Sequence, residues 1–224
     1  KKLGVEDTRG TLFREIHEII QVTKPKAFLL ENVKRLLSMQ EGEAFKIILS
    51  TLSKLDYSIE WRLVNCRSFG IPQNRERVFI AGIRNDCVNG DPILRLSNED
   101  DDVLKPATKL VLHKGRFNTW GSVSDGLLHE HNYPSKVAEY GDTKLLDILQ
   151  KPEEINEKFY FTESTLKRIG DNTPKNKFVQ GVEILSNQEG GRRMGYTVFG
   201  VSGVAPTLTA TTSRIYERYQ IDSE

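Results

Sequence analysis

The sequence of 224 residues contains few cysteines and lacks long apolar runs. Its two cysteines, Cys66 and Cys87, provide neither a disulfide framework nor a CxxC metal pair, which fits a reducing compartment. No apolar stretch is long enough to cross a membrane. The first ten residues also lack the apolar core of a signal peptide. Composition therefore predicts a soluble cytoplasmic protein, with no metal site and no membrane partner.

Neither sign of charge is in large excess. The chain has 32 Lys and Arg residues against 31 Asp and Glu residues, so its formal net charge is +1. Any binding to nucleic acid must therefore depend on local clusters of basic residues, because the chain as a whole is not a polycation. The length suits one large domain or two small ones, and either can bury a substantial core.

The first third of the chain alternates between helix and strand patterns. Residues 10–24 have apolar side chains at helical spacing, and Pro25 would end this helix. The short apolar run 27–31 is typical of a strand buried on both faces of a parallel sheet. A second amphipathic helix at 43–55 and strands at 57–65 and 77–84 follow. This alternation predicts an α/β fold with a doubly wound sheet. The expected apolar face of the first helix comprises Leu12, Phe13, Ile16, Ile19 and Ile20.

The pattern changes after residue 86. Asp, Asn, Gly and Ser become frequent, and short helices are predicted only at 143–150 and 162–170. Strand character returns near the end of the chain. We therefore divide the sequence into 1–86, which forms part of an α/β domain, 87–203, a variable and less regular region, and 204–224, a return toward the first domain.

Several polar residues lie at the ends of the predicted strands. Glu31 follows a buried strand at the position where open α/β sheets build their sites, although it could instead cap the next helix or pair with Lys34. The amide of Asn32 can hold a tight turn. Arg75 and Arg77 precede another buried strand and suit recognition of a carboxylate, a phosphate or a base edge. The alternative is an Arg-Glu-Arg surface ladder of little energetic value.

Four segments occur in a fixed order: DTRGTLFREI, KPKAFLLENV, NCRSFGIPQNRERVFIAG and APTLTAT. Together they resemble the DNA cytosine-5 methyltransferase family of bacterial restriction-modification systems. The resemblance covers residues 3–86 almost continuously and returns at about 195–220. It implies part of a doubly wound, Rossmann-like methyltransferase sheet with a smaller, irregular and mostly β target-recognition region within 87–203.

The resemblance also implies a reaction. Such enzymes transfer a methyl group from S-adenosylmethionine to carbon 5 of a cytosine in a specific site of double-stranded DNA. The cytosine must be flipped out of the stacked duplex. A cysteine thiolate then adds to carbon 6, and an acid near N3 neutralises the charge that develops on the ring. A bacterial, nucleoid-associated location follows from this substrate.

Particular residues match the catalytic motifs of the family. Glu31 corresponds to the acid at N3, and Arg77 to the residue that holds the O2 atom of the base and the adjacent carboxylate. Arg75 corresponds to a residue that anchors the cysteine-bearing loop, and Asn32 to a turn-holding residue. Leu12 corresponds to a contact to the adenine of the cofactor.

Other residues are expected to contact DNA. Thr207 matches a family position that faces the DNA close to the flipped nucleotide. The segment 175–218 is locally basic and rich in glycine, so Arg192 and Arg193 are expected to bind backbone phosphates. An ordinary solvated loop is the alternative. A second candidate recognition loop contains Trp120, which could equally be a core residue.

Three parts of the family pattern are absent from these residues. The Pro-Cys-Gln motif that carries the nucleophile and the glycine-rich cofactor segment would both precede Lys1, and the final family motifs would follow Glu224. Neither Cys66 nor Cys87 has the neighbours of the nucleophile, and Cys66 is expected to pack as a small apolar residue. The chain alone is therefore expected to be inactive.

Three explanations of this absence are compatible with the sequence. The favoured one is that the chain is part of a longer enzyme. It could also be one subunit of a split methyltransferase whose partner chain carries Pro-Cys-Gln, or a non-catalytic DNA-binding module. A generic nucleotide-binding α/β domain is a weaker alternative, because it leaves PTLTAT and QNRERV without a role.

Overall fold

A computed structural model describes residues 8–87, 108–131, 142–164, 173–187, 197–208 and 218–220. The chain divides into two compact units. The first unit comprises residues 1–64 and 76–136, and the second comprises 65–75 and 137–224. Across the described ranges, no helix has both the length and the apolar character that a bilayer-spanning segment needs.

The described residues of the first unit form two α-helices and a six-stranded sheet with the strand order β1-β3-β2-β5-β6-β4. The helices and strands predicted for residues 43–84 are confirmed to within one or two residues. The elements are α1 Thr8–Thr23, β1 Ala27–Val33, α2 Glu43–Ser53, β2 Tyr57–Asn65, β3 Glu76–Arg84, β4 Thr108–Lys109, β5 Trp120–Ser124 and β6 Leu127–His131.

Both helices pack into one apolar cluster with the sheet, and Trp61 lies at its centre. Its ring is fully buried and meets Phe45 and Phe117 edge-on, with centroids 5.3 Å and 5.7 Å away. Its indole nitrogen donates a hydrogen bond of 3.0 Å to the Asn118 carbonyl, so the buried polar atom is satisfied. Burial of each such aromatic side chain stabilises the fold by about 1.5–3 kcal/mol.

The apolar face of α1 is narrower than the sequence predicts. Phe13, Ile16 and Ile20 pack against the cluster, whereas Leu12 and Ile19 are each 61% exposed. All five residues recur at helical spacing, but only one stripe of the helix meets the sheet and α2. Periodicity alone does not set the width of that stripe, so the prediction of a single five-residue apolar face is wrong.

The prediction for β1 is also corrected. β1 does not lie buried between parallel neighbours, because its described neighbour is β3, which runs antiparallel to it. Phe28 and Leu30 face the apolar cluster, while Leu29 is 63% exposed on the opposite face. A short apolar run is compatible with either environment, so composition could not decide between them. The mixed α/β class is confirmed, and the doubly wound, Rossmann-like arrangement stays a prediction.

The second unit is built on a four-stranded sheet with the order β10-β9-β8-β7. β10 runs parallel to β9, and the other described pairs are antiparallel. The helix predicted at 143–150 is a single 3₁₀ turn, Leu145–Ile148, and the prediction at 162–170 lies mostly outside the described residues. The strands are β7 Thr173–Val179, β8 Val182–Asn187, β9 Thr197–Gly200 and β10 Arg218–Gln220.

A two-residue turn closes a hairpin in each unit. Asp125 and Gly126 join β5 to β6, with φ angles of 51° and 73°. Gln180 and Gly181 join β7 to β8, with φ angles of 51° and 81°. Positive φ at both positions matches the right-handed twist of the flanking strands, so both turns favour a tight hairpin.

Candidate functional site

The pairing of β1 with β3 brings Glu31 and Arg77 together. Glu31 lies opposite Phe79, and Arg77 lies opposite Val33, so the two charged residues are diagonal neighbours on one face of the sheet. Phe28 and Leu30 point to the other face, where the apolar cluster lies. The sheet therefore presents a carboxylate and a guanidinium on the side away from its core.

The two side chains form a close ion pair. Arg77 Nε lies 2.7 Å from Glu31 Oε1, and Arg77 Nη1 donates a hydrogen bond of 2.8 Å to the Glu76 carbonyl. The Arg77 side chain is 17% exposed and that of Glu31 is 48% exposed. The guanidinium is thus held from two sides, while the carboxylate remains accessible to a ligand. Charge-assisted hydrogen bonds of this kind fix direction as well as distance.

The structure gives Lys34 a partner other than Glu31, and the catalytic role expected of Glu31 stays a prediction. Lys34 does not pair with Glu31, because its Nζ lies 2.9 Å from both carboxylate oxygens of Glu76. The central glutamate of the Arg-Glu-Arg sequence therefore binds Lys34, and Arg77 is left to orient Glu31. A simple surface ladder of Arg75, Glu76 and Arg77 does not describe this arrangement.

Asn32 and Leu12 are two further residues of the first unit that the sequence predicts to belong to the site. The Asn32 side-chain oxygen accepts a hydrogen bond of 2.8 Å from the Val33 amide, so its amide group constrains the end of β1. Leu12 lies on α1 and exposes apolar surface. These placements are compatible with the expected roles of a turn-holding residue and an apolar cofactor contact, and both roles stay predictions.

Within the second unit, Arg75 bonds to the residue after Thr207, and Thr207 bonds to the residue before Arg75. Arg75 Nη1 donates a long hydrogen bond of 3.5 Å to the Leu208 carbonyl. The Thr207 hydroxyl donates a shorter one, 2.7 Å, to the Asn74 carbonyl. The PTLTAT segment is therefore attached to the loop that precedes Glu76. Because the Thr207 hydroxyl is already engaged, its first role is to position this loop, and contact with DNA stays a prediction.

Sequence reasoning did not identify Asn74 as part of this region. Its backbone N–H donates to the Ala205 carbonyl at 2.8 Å, and its side chain bonds to Asn65 at 2.8 Å and to Gln180 at 3.1 Å. Its position next to Arg75 was the only available signal. The partners are non-local, since Gln180 lies 106 residues further along the chain.

Two arginines and the cysteines complete the predicted set. Arg192 and Arg193 lie outside the described residues. Cys66 is partly buried in the 3₁₀ turn after β2, and the Cys87 thiol donates to Asp86 Oδ1 at 3.3 Å.

Trp120 lies in the sheet of the first unit. Trp120 begins β5, and its indole nitrogen donates to Glu60 Oε1 at 2.9 Å, so it belongs to the sheet rather than to a free recognition loop. Within the described ranges, no group of three or more His, Cys, Asp and Glu side chains is arranged to hold a metal ion.

Comparison with known proteins gives one consistent family. A family model described as C-5 cytosine-specific DNA methylase matches residues 1–215. Type II methyltransferase M1.ScrFI of Lactococcus lactis subsp. cremoris is 58% identical over 89 residues, which are 40% of this chain and 23% of that protein. Type II methyltransferase M.SsoII of Shigella sonnei is 40% identical over 132 residues, which are 58% of this chain and 34% of that protein.

A third relative covers more of the chain. Orphan methyltransferase M.Rho11sI of Bacillus phage rho11s is 29% identical over 219 residues, which are 92% of this chain and 41% of that protein. The chain thus spans less than half the length of each of these three relatives. The restriction-modification character expected from the sequence is shared by the type II relatives.

Proposed function

Because this chain belongs to the C-5 cytosine-specific DNA methylase family, we propose that it supplies the base-binding carboxylate and guanidinium of a DNA cytosine-5 methyltransferase. The reaction transfers a methyl group from S-adenosylmethionine to carbon 5 of a cytosine in a specific site of duplex DNA. The observation that carries the proposal is the Glu31–Arg77 pair, 2.7 Å apart, on the face of the sheet away from the core.

The chemistry needs a cytosine outside the base stack. Carbon 5 is shielded in duplex DNA, so the base is flipped into a pocket before reaction. Carbon 5 is also a poor nucleophile until a thiolate adds to carbon 6. Addition places negative charge on the ring, and a group at N3 that holds a proton there stabilises the intermediate. We assign the thiolate to neither Cys66 nor Cys87.

Glu31 and Arg77 fit the polar edge of cytosine. The accessible carboxyl group of Glu31 can hold a proton at N3, while the guanidinium of Arg77 can donate to the neighbouring O2. Because Arg77 also binds Oε1 of Glu31, the two groups keep a fixed spacing without help from the substrate. A preorganised pair of this kind lowers the reorganisation needed at the moment of reaction.

S-adenosylmethionine supplies the electrophilic methyl group when it is bound. Leu12 exposes apolar surface at the start of α1, and this surface fits contact with an adenine ring. Arg192 and Arg193 are proposed to bind DNA phosphates, and Thr207 to lie beside the flipped nucleotide. Arg75 is proposed to anchor the loop that carries the nucleophile.

The central test replaces Glu31 by glutamine in the protein at the length that its gene encodes. Glu31→Gln retains shape but cannot exchange a proton in the same way, so transfer of labelled methyl groups into duplex DNA should fall by about 100-fold or more. DNA affinity should stay within about threefold, since the phosphate contacts are untouched. Glu18→Gln is the control, because Glu18 is also an exposed carboxylate paired with an arginine.

The same assay separates an enzyme from a binding module. Methyl transfer by the Glu31→Gln protein at the normal rate would remove Glu31 from the mechanism. Specific DNA binding without any methyl transfer by the unaltered protein would favour the binding module. Replacement of both Arg192 and Arg193 by alanine should flatten the plot of log K against log salt by about 0.9 for each lost phosphate contact.

A further inference from the structure

The turn between β7 and β8 contains a residue that its backbone does not favour. Gln180 has a φ angle of 51°, and tight hairpin turns with positive φ at both positions favour Asn, Asp or Gly at the first of them. The turn between β5 and β6 follows this rule with Asp125 and Gly126. An unfavoured residue in a strained conformation needs a compensating interaction.

The Gln180 side chain makes such an interaction. Its Oε1 accepts a hydrogen bond of 3.1 Å from Asn74 Nδ2. Its carbonyl oxygen accepts another, also 3.1 Å, from Arg67 Nη1. Aspartate or asparagine at this position would improve the turn, but either side chain is one methylene shorter and would fall short of Asn74. The glutamine side chain is therefore long enough to reach Asn74, whereas the residues that the turn favours are not.

Asn74 is held from both ends of its amide. Asn65 Nδ2 donates to Asn74 Oδ1 at 2.8 Å, while Asn74 Nδ2 donates to Gln180. Its main chain is equally constrained, because its N–H donates to Ala205 and its carbonyl accepts from Thr207. Removal of Gln180 Oε1 would release one of these four constraints while leaving the other three in place.

The rest of the turn is fixed by close packing. The Gly181 carbonyl accepts a hydrogen bond of 2.9 Å from the Val204 amide. A Cβ atom at Gly181 would lie 2.6 Å from Arg67 Nη1, so a larger residue would displace the guanidinium from its present position. The turn is therefore bonded to the loop that contains Arg67 and Asn74.

We propose that Gln180 is a positioning residue for methyl transfer. It orients Asn74 and thereby the direction in which the next residue, Arg75, leaves the loop. The proposal rests on the function proposed above, in which Arg75 anchors the nucleophile-bearing loop. Gln180 itself is exposed, so its hydrogen bond contributes little to stability and acts mainly on geometry.

Three substitutions at Gln180 isolate this role in the protein at its gene-encoded length. Gln180→Met has similar length but no acceptor, and Gln180→Asn favours the turn but is too short. Both should lower kcat for methyl transfer by about tenfold, as expected for a small misplacement, and leave KM for DNA within about twofold. Gln180→Glu retains the acceptor and should retain kcat.

The midpoint of thermal unfolding, Tm, is measured together with kcat, because the two together distinguish a positioning role from a purely structural one. Gln180→Asn should have an unchanged or higher Tm together with a lower kcat, because it relieves backbone strain while losing the contact. A Tm and a kcat that fall together in this variant would assign Gln180 a purely structural role. A normal kcat in Gln180→Met would overturn the proposal directly.

A spectroscopic measurement keeps this proposal separate from the proposed function. The side-chain NH₂ signal of Asn74 should lose its hydrogen-bonded shift in the Met and Asn variants and keep a hydrogen-bonded shift in the Glu variant, and the Arg75 Nε–H signal should move in the Met and Asn variants. This expectation holds even if the unaltered protein transfers no methyl groups, an outcome that would reject the function alone. Unshifted signals in all three variants would reject positioning by Gln180 whatever the activity.

Discussion

The two units differ in what holds their loops in place. The described residues of the first unit bury a cluster of fifteen apolar residues, in which Phe45 and Phe117 pack edge-on against Trp61. The described residues of the second unit form two clusters of three buried residues each. Its 65–75 loop is held mainly by hydrogen bonds from amide side chains and the main chain. Apolar burial contributes stability without direction, whereas hydrogen bonds contribute direction with modest stability.

The two hairpin turns show the same contrast on a smaller scale. The Gly126 carbonyl accepts one hydrogen bond of 3.0 Å, from the Leu110 amide, and a Cβ at Gly126 would find open space. Gln180 and Gly181 form hydrogen bonds with three neighbours, Arg67, Asn74 and Val204. The second turn is therefore hydrogen-bonded to more of its surroundings than the first.

The largest expected effect lies in the core of the first unit. Trp61→Ala should lower the free energy of unfolding by about 3–5 kcal/mol, because it removes a fully buried ring and leaves a cavity. Urea unfolding followed by circular dichroism measures this loss. Phe159→Ala is the control, since Phe159 is a largely exposed aromatic residue of the second unit and should cost less than about 1 kcal/mol. Equal losses in the two variants would contradict the proposed difference between the units.

The next effect compares the glycines of the two turns. Gly181→Ala should destabilise the protein by about 2–3 kcal/mol, from backbone strain at positive φ and from displacement of the Arg67 guanidinium. Gly126→Ala shares the strain but meets open space, so about 1–2 kcal/mol is expected. Denaturant midpoints of the two variants provide the comparison. If Gly126→Ala were the more damaging change, the Arg67 contact would be unimportant.

A smaller effect is expected at Thr207. Thr207→Val keeps the shape but removes the donor to the Asn74 carbonyl, so the free energy of unfolding should fall by about 1 kcal/mol. Thr207→Ser retains the hydroxyl and should lose less. Thermal unfolding distinguishes the two variants, and a loss in Thr207→Ser equal to or greater than that in Thr207→Val would show that the hydrogen bond contributes no more than the methyl group.

The smallest effect is a dependence on pH at the end of β3. Hydrogen bonds from Arg84, and secondarily from Cys87, hold the pKa of Asp86 below its ordinary value. A depressed pKa in the folded state stabilises the protein above the ordinary carboxyl range, and this contribution is lost as pH falls through the folded pKa. Asp86→Asn should therefore be slightly less stable at neutral pH. The difference in Tm should vanish in acid, and a difference that persists there would contradict this origin.

The sequence contains enough local information to predict the elements of the first unit. Apolar spacing located α2, β2 and β3, and a turn rich in polar residues marked the start of β3. The sequence could not show that β1 has an exposed face, because exposure depends on which element lies against that face. The same reason explains Leu12 and Ile19, whose spacing fits a buried face although the side chains are exposed.

The candidate site was only partly accessible to sequence reasoning. The placement of Glu31 at the end of a strand and of Arg77 at the start of another follows from local patterns, but their contact depends on the pairing of β1 with β3. The roles of Asn74 and Gln180 could not be predicted, since each is an ordinary polar residue until the fold brings them together. Non-local hydrogen bonds of this kind leave no periodic trace in a sequence.

One glycine governs where the charged pair forms. Gly82 lies opposite Phe28, whose ring occupies the space that any side chain on Gly82 would need. A slip of two residues would set Phe28 against Ile80 or Arg84, and a slip of one would turn every side chain to the wrong face. Because Gly82 has no side chain, the Phe28 ring fits against it in the observed register of β1 and β3. Through this register, Gly82 sets the distance between Glu31 and Arg77, whose side chains are proposed to perform the chemistry.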